Sequence, residues 1–298
     1  MLIRNGFEIA IDCEARTPLL LALNVHPDFE GRLIGEDAVR TDRDLPQEHY
    51  ADAYGNRITR LVAPPGRTVL WNDFVAEVDG TPDPVVPEAA QHPVEDLPSE
   101  TLQFLTASRY CDSDELGDFA WATFGNVEGG WAKVQAICDH AHEAVTFGYH
   151  FARPTKTAVD VHREKTGVCR DFAHLAIALC RAMNIPARYA SGYLGDIAWP
   201  PSGPGDFCAW FEAYLGGRWY TFDARYNQPR IGRVLMVRGG DAADAAMITS
   251  FGRYLLDRFT VWSDEVGGAP SDDELRAMLE QRPDAAPQVS NESSGRMG

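Results

Sequence analysis

The stretch Thr166-Gly167-Val168-Cys169-Arg170-Asp171-Phe172-Ala173-His174 sets a cysteine where a glycine-containing turn enters an apolar helical pattern. At a helix N-terminus the backbone N–H groups lack intrahelical partners and the macrodipole is positive. A thiol placed there ionises more readily and becomes a nucleophile, and nucleophilic thiols support acyl transfer through a covalent thioester. His174 lies five residues further on the same helix. It is therefore rotated roughly 140° from Cys169, which assigns it a packed or hydrogen-bonded role rather than that of a base.

Three strand patterns follow that helix, at Ala187–Tyr193, Phe207–Leu215 and Trp219–Ala224. Gly216-Gly217 joins the last two as a two-residue hairpin turn. With Leu215 opposite Arg218, Trp210 falls opposite Asp223 and Cys208 opposite Arg225. All four side chains then share one face, because strand side chains alternate with period 2. Cys208 and Asp223 become diagonal neighbours about 7–8 Å apart. A helix N-terminus docked over that face would bring Cys169, Cys208 and Asp223 into one site, and Arg225 could favour a thiolate by its charge. If the two thiols lie within disulfide reach, a redox bridge is an alternative use of them, as is a metal held with Asp223.

These motifs carry a resemblance. Gly167-Val168-Cys169-Arg170-Asp171-Phe172-Ala173-His174, then Ile185-Pro186-Ala187-Arg188-Tyr189 and Ser191-Gly192-Tyr193, resemble the core of the bacterial transglutaminase-like superfamily. Phe207-Cys208-Ala209-Trp210-Phe211-Glu212-Ala213-Tyr214 and Trp219-Tyr220-Thr221-Phe222-Asp223 continue it in order, and the resemblance covers roughly residues 1–265. It implies a papain-like cysteine-protease core, with Cys169 as the nucleophile and Asp223 as the orienting acid. The chemistry implied is acyl transfer at amides, by peptide hydrolysis or transamidation, without metal or other cofactor. The chain departs from the family where a catalytic His belongs: that position is Cys208. A neutral thiol is a poor general base, and loss of a poised base typically costs ~10²–10⁴ in rate. Two readings follow: a thiol-dependent amide acyl-transfer enzyme, or a catalytically impaired pseudoenzyme whose cleft binds peptide or protein.

The rest of the chain must hold that site. In residues 1 to about 80, Phe7, Ile9, Ile11 and Cys13 alternate with polar positions as in a half-buried strand. Further strands are expected at Leu19–Val25, Tyr50–Tyr54, Ile58–Val62 and Val69–Val78, forming an antiparallel β-sandwich. Prolines at 82, 84, 87, 93 and 98 mark a linker. Helical periodicity follows at Glu115–Phe124, Trp131–Phe147, Thr157–Lys165 and Cys169–Met183. The expected fold is α+β: a sandwich domain with linker over residues 1–95, a transglutaminase-like core over 96–265 and an acidic, largely disordered tail over 266–298, in which Ser271-Asp272-Asp273-Glu274 caps one short helix.

The 298 residues are 45% hydrophobic and 24% charged, with a formal net charge of −17. That charge argues against nucleic acid and anionic membrane surfaces as partners. The six cysteines have irregular spacing and form no CxxC pair. Together with a start that lacks a signal-peptide pattern, this leads us to expect a reduced, cytoplasmic setting. Cys13, Cys111, Cys138 and Cys180 read as packing residues.

Overall fold

The computed structural model describes residues 1–200 and 205–281. The N-terminal third contributes β1 (Leu2–Cys13), β2 (Thr17–Leu21), β3 (Arg32–Ile34), β4 (Arg40–Thr41), β5 (Glu48–Ala51), β6 (Arg57–Ala63) and β7 (Gly66–Glu77). Helices α1 (Ser99–Leu102), α2 (Gly117–Phe124) and α3 (Gly130–Ala144) follow. Next come β8 (Thr146–Phe147), α4 (Ala158–Glu164), β9 (Thr166–Gly167) and α5 (Cys169–Ala182). The chain continues with β10 (Ala187–Tyr193), β11 (Cys208–Leu215), β12 (Arg218–Phe222), β13 (Val234–Gly239), β14 (Ile248–Ser250), β15 (Tyr254–Glu265) and α6 (Asp272–Leu279).

The N-terminal strands form two antiparallel sheets. One has the order β15-β1-β7-β3, with β4 also on β7, and the other β14-β2-β6-β5. The alternating residues Phe7, Ile9, Ile11 and Cys13 are all buried, sharing a core with Leu19 and Leu21 of β2 and Leu61 of β6. This is the sandwich expected from period-2 patterning.

Strand pairing crosses the boundary expected at residue 265. The 254–265 segment, assigned to the core domain by sequence, runs antiparallel beside β1 from Ile3–Glu265 to Cys13–Tyr254. Likewise β14 pairs with β2. The chain leaves the sandwich, builds the core and returns to complete both sheets. Pairing partners some 250 residues apart leave no local signal in the sequence. The tail is also partly ordered: α6 packs Leu275 against Ile34 and Val75, and Arg4 donates to the Met278 carbonyl. Ser271 caps α6 as expected, accepting from Glu274 N. Residues 282–298 of the expected disordered tail lie outside the described residues.

In the core, α5 is buried on every side from Asp171 to Arg181, the condition of a central helix rather than a surface one. It packs against a sheet of order β12-β11-β10-β13. The β11–β12 hairpin has the expected register, Leu215 opposite Arg218, turning on Gly216 and Gly217 at positive φ. An aromatic seam fastens sandwich to core: Phe207 meets Phe7, Tyr193 and Phe259 at ring-centroid distances of 6.1, 5.2 and 5.8 Å, and Phe74 meets Tyr193 at 5.6 Å.

Candidate active site

Cys169 is the first residue of α5, so its thiol sits beside the unpaired N–H groups of the helix start. The approach is built for this. Thr146 and Phe147 of β8 pair in parallel with Thr166 and Gly167 of β9. Buried Lys156 donates to the Thr166 carbonyl at 3.1 Å and pairs with Glu164 at 3.0 Å. Val168 N–H donates to Asp171 Oδ2 at 3.0 Å, fixing the entry angle. Gly167 is required here because a Cβ would stand 2.7 Å from Asp171 Cβ.

Cys208, buried at the start of β11, is hydrogen-bonded to Cys169. This contact splits the two thiols. Cys169 is held below the ordinary cysteine range, first by accepting from Cys208 and against the opposing effect of burial; Arg225 and a backbone hydrogen bond with Ala209 also favour its thiolate. Cys208 is pushed well above that range, first by the same hydrogen bond and then by burial. The contact therefore favours ionisation of Cys169 as the acceptor and keeps the proton on Cys208 as the donor. Both are free cysteines, and among the described residues no group of three or more His, Cys, Asp or Glu is arranged to hold a metal.

Asp223 differs from its expected placement. Pairing of β11 with β12 stops at Phe211–Phe222, so Trp210–Asp223 and Cys208–Arg225 are not ladder pairs. The cause is a turn built on Asp223 itself. Its Oδ1 accepts from the N–H groups of Arg225 and Tyr226, both at 3.0 Å, and Asn227 N–H donates to its carbonyl at 2.8 Å. Its Oδ2 accepts from Arg233 Nη2 at 2.9 Å. Arg233 also binds Asp83 at 2.9 Å and lies 4.9 Å over the Trp210 ring. Asp223 stays near enough to oppose ionisation of Cys208, while its oxygens are committed to the turn and to Arg233.

His174 has the structural role expected. Its Nε2 accepts from Ala242 N–H at 3.1 Å, its ring stacks on Tyr110 at 5.1 Å, and burial pushes its pKa down to about 3. His142 meets the Arg225 carbonyl at 2.8 Å, and His140 and His162 pack around Phe119. Cys13, Cys111, Cys138 and Cys180 are buried, and burial raises the pKa of each.

Cys208 opens onto a cleft of about 460 Å³. One wall is Tyr149, Asp206, Arg225 and Tyr226; the other, Val261 to Glu265, comes from β15 of the sandwich. Arg225 lies 3.7 Å over the Phe147 ring, which fixes its charge at this mouth. Motif spacing does not single out Asp206, Tyr149 or Arg233. Asp206 carries one signal, its place two residues before Cys208; Tyr149 and Arg233 carry none.

Comparisons with known proteins bear on the family and the fold. Residues 119–224 match the family model of the transglutaminase-like superfamily. The structure of a candidate cysteine protease from Cytophaga hutchinsonii matches with a TM-score of 0.80 and 31% identity, covering 91% of this chain and 92% of that one. The periplasmic domain of TgpA from Pseudomonas aeruginosa gives a TM-score of 0.39 at 15% identity, over 75% of this chain and 90% of that one. An uncharacterized protein of Mycobacterium leprae is 40% identical over 70 residues, which are 22% of this chain and 25% of that protein. The match thus spans about a quarter of that relative's length. The chain belongs to the transglutaminase-like superfamily.

Proposed function

We propose that this chain transfers acyl groups from peptide-like amides through Cys169, to water or to an amine. The observation that carries the reading is the Cys169 thiol at the start of α5, favoured as thiolate by the hydrogen bond from Cys208. The thiolate attacks the amide carbonyl, and the oxyanion forms beside the Cys169 N–H. The C–N bond then breaks, leaving a thioester and an amine that takes up a proton. Water or a second amine attacks the thioester and releases a proton, matching the one taken up by the departing amine, and the C–S bond breaks to return the thiolate. Cys208 acts in this scheme as a hydrogen-bond donor that stabilises the thiolate, not as a base. Asp223 positions the strand ends through its turn and Arg233. The absence of a basic amino-acid side chain at 208 is offset in part by the hydrogen bond from Cys208, which favours the Cys169 thiolate.

The test is the rate of Cys169 alkylation by iodoacetamide against pH, followed by peptide mass spectrometry. Half-maximal reactivity well below pH 8 is expected in the native chain, moving upward in Cys208→Ala. A native midpoint in the ordinary cysteine range would overturn the reading.

One observation favours the second reading, a pseudoenzyme that binds peptide. Asp223, which should orient the residue at 208, is held by Arg233. A low alkylation midpoint without turnover of any peptide amide or amine acceptor, combined with saturable peptide binding, would select it.

A further inference from the structure

We propose that Asp206 is the proton-transfer residue of this site, giving its proton to the departing amine and then taking one from the attacking water. The inference rests on the amide-transfer reading above and supplies the group that reading lacks. A thiolate can attack unaided, but an amide nitrogen leaves readily only when protonated. Cys208 is poorly suited to donate that proton, since its thiol is held well above the ordinary range. No histidine is among the described residues lining the cleft.

Asp206 stands in the right place. It lines the same cleft as Cys208, Arg225 and Tyr149. Its neighbour Phe207 is locked in the aromatic seam by Phe7, Tyr193 and Phe259, so its backbone has a rigid anchor on one side. The Tyr149 side chain hydrogen-bonds its carboxyl, and its charge acts on Cys169, opposing thiolate formation. The groups sharing the cleft with it are Tyr149, Arg225 and Cys208, with Asp196, Tyr226, Asp264 and Glu265 also in the lining. Burial pushes its pKa up to about 6, which Arg225 and the hydrogen bonds from Phe207 and Tyr149 only partly offset. A carboxyl poised there can both donate and accept near neutral pH.

The step balances. As the tetrahedral intermediate collapses, the C–N bond breaks and the Asp206 proton passes to nitrogen, leaving thioester, neutral amine and carboxylate. When water attacks the thioester carbon, the carboxylate takes its proton and the C–S bond breaks to return the Cys169 thiolate. No oxidant or further reactant is needed.

The experiment compares a peptide anilide with the p-nitrophenyl ester of the same peptide, using the full chain and its Asp206→Asn and Asp206→Glu variants. The ester's leaving group needs no proton, so it reports nucleophilic attack alone and shows that each variant is folded. Asp206→Asn should lose roughly 10²–10³-fold in anilide turnover while keeping its burst with the ester. Its Cys169 alkylation midpoint should move to lower pH, because a like charge is removed. Asp206→Glu should recover part of the anilide rate with a displaced pH profile. Equal loss on both substrates, or no loss on the anilide, would overturn the assignment of Asp206 alone. Native protein that acts on neither substrate, with an unshifted Cys169, would overturn the nucleophile reading and this role with it.

Discussion

Cys208 changes what the neighbouring thiol needs. Imidazole in that position would accept a proton from Cys169; a thiol in its place donates a hydrogen bond and leaves proton transfer to another group. Contact between the two thiols has a redox consequence. Treated with diamide, the chain should lose two hydrogens across the peptides holding Cys169 and Cys208; recovery of both as free thiols would contradict the contact. Asp206 gives a stability test that does not depend on activity. Its carboxyl is at about 6 when folded, against an ordinary value of 3.8. The folded state therefore binds the proton more tightly than the unfolded state, and stability falls as pH rises through that window. A carboxyl displaced that far corresponds to about 3 kcal/mol, or about 1–2 kcal/mol once its partial exposure to solvent is discounted. Asp206→Asn should thus be more stable than the native chain at pH 7 by about that lesser amount, with the difference gone below pH 4; chemical denaturation across pH reads this directly. His174 has the opposite sign. Its folded pKa of about 3 lies below the ordinary 6.5, so it contributes stability above pH 6.5 that is lost as pH falls towards 3. His174→Gln should flatten that acid limb in the same titration.

Among the elements, the start of α5 decides whether Cys169 is a nucleophile or a packing residue. Three features converge on it: the β8–β9 bridge, the Asp171 bond to Val168 N–H and the tether from Lys156 to Thr166. Each fixes backbone that would otherwise fray at a helix end. Gly167→Ala would press a methyl group against Asp171, costing about 1–3 kcal/mol in overpacking. It should also raise the Cys169 alkylation midpoint, since the helix start would shift. An unchanged midpoint would mean that the helix start does not set the reactivity. The glycine, the helix and the cysteine are legible in the sequence. Asp171 as the clasp is not, because a carboxylate two residues into a helix looks the same whether it faces solvent or folds back.

Over the whole molecule, the sandwich is part of the site. β15 supplies the wall from Val261 to Glu265, and β1 and β15 supply the rings that hold Phe207 beside Asp206 and Cys208. Phe7 meets Phe207, and Phe7→Ala should cost about 3–5 kcal/mol and lower anilide turnover more than ester acylation, since it loosens the anchor of Asp206. Thermal melting and the two-substrate ratio would check this, and a loss of stability without a change in ratio would make the seam structural only. This coupling is not legible in the sequence, because a chain that departs at β7 and returns at β14 gives no local mark of its return.

Taken alone, the sequence establishes the class of fold, the candidate nucleophile and the residue that departs from the family pattern. Those features are local: period-2 and helical spacing, a glycine before a helix and a two-glycine turn that fixes strand register. The same spacing extends the hairpin ladder past Phe222 and sets Asp223 and Arg225 on it. In the folded chain that ladder ends at Phe222, Arg233 takes the Asp223 carboxylate, and the two thiols meet as donor and acceptor. Packing likewise brings Asp206, Tyr149 and β15 around one cleft. The difference is one of range. Spacing within one element follows from backbone geometry, whereas the partner of a buried charge is whichever group the completed packing leaves closest to it.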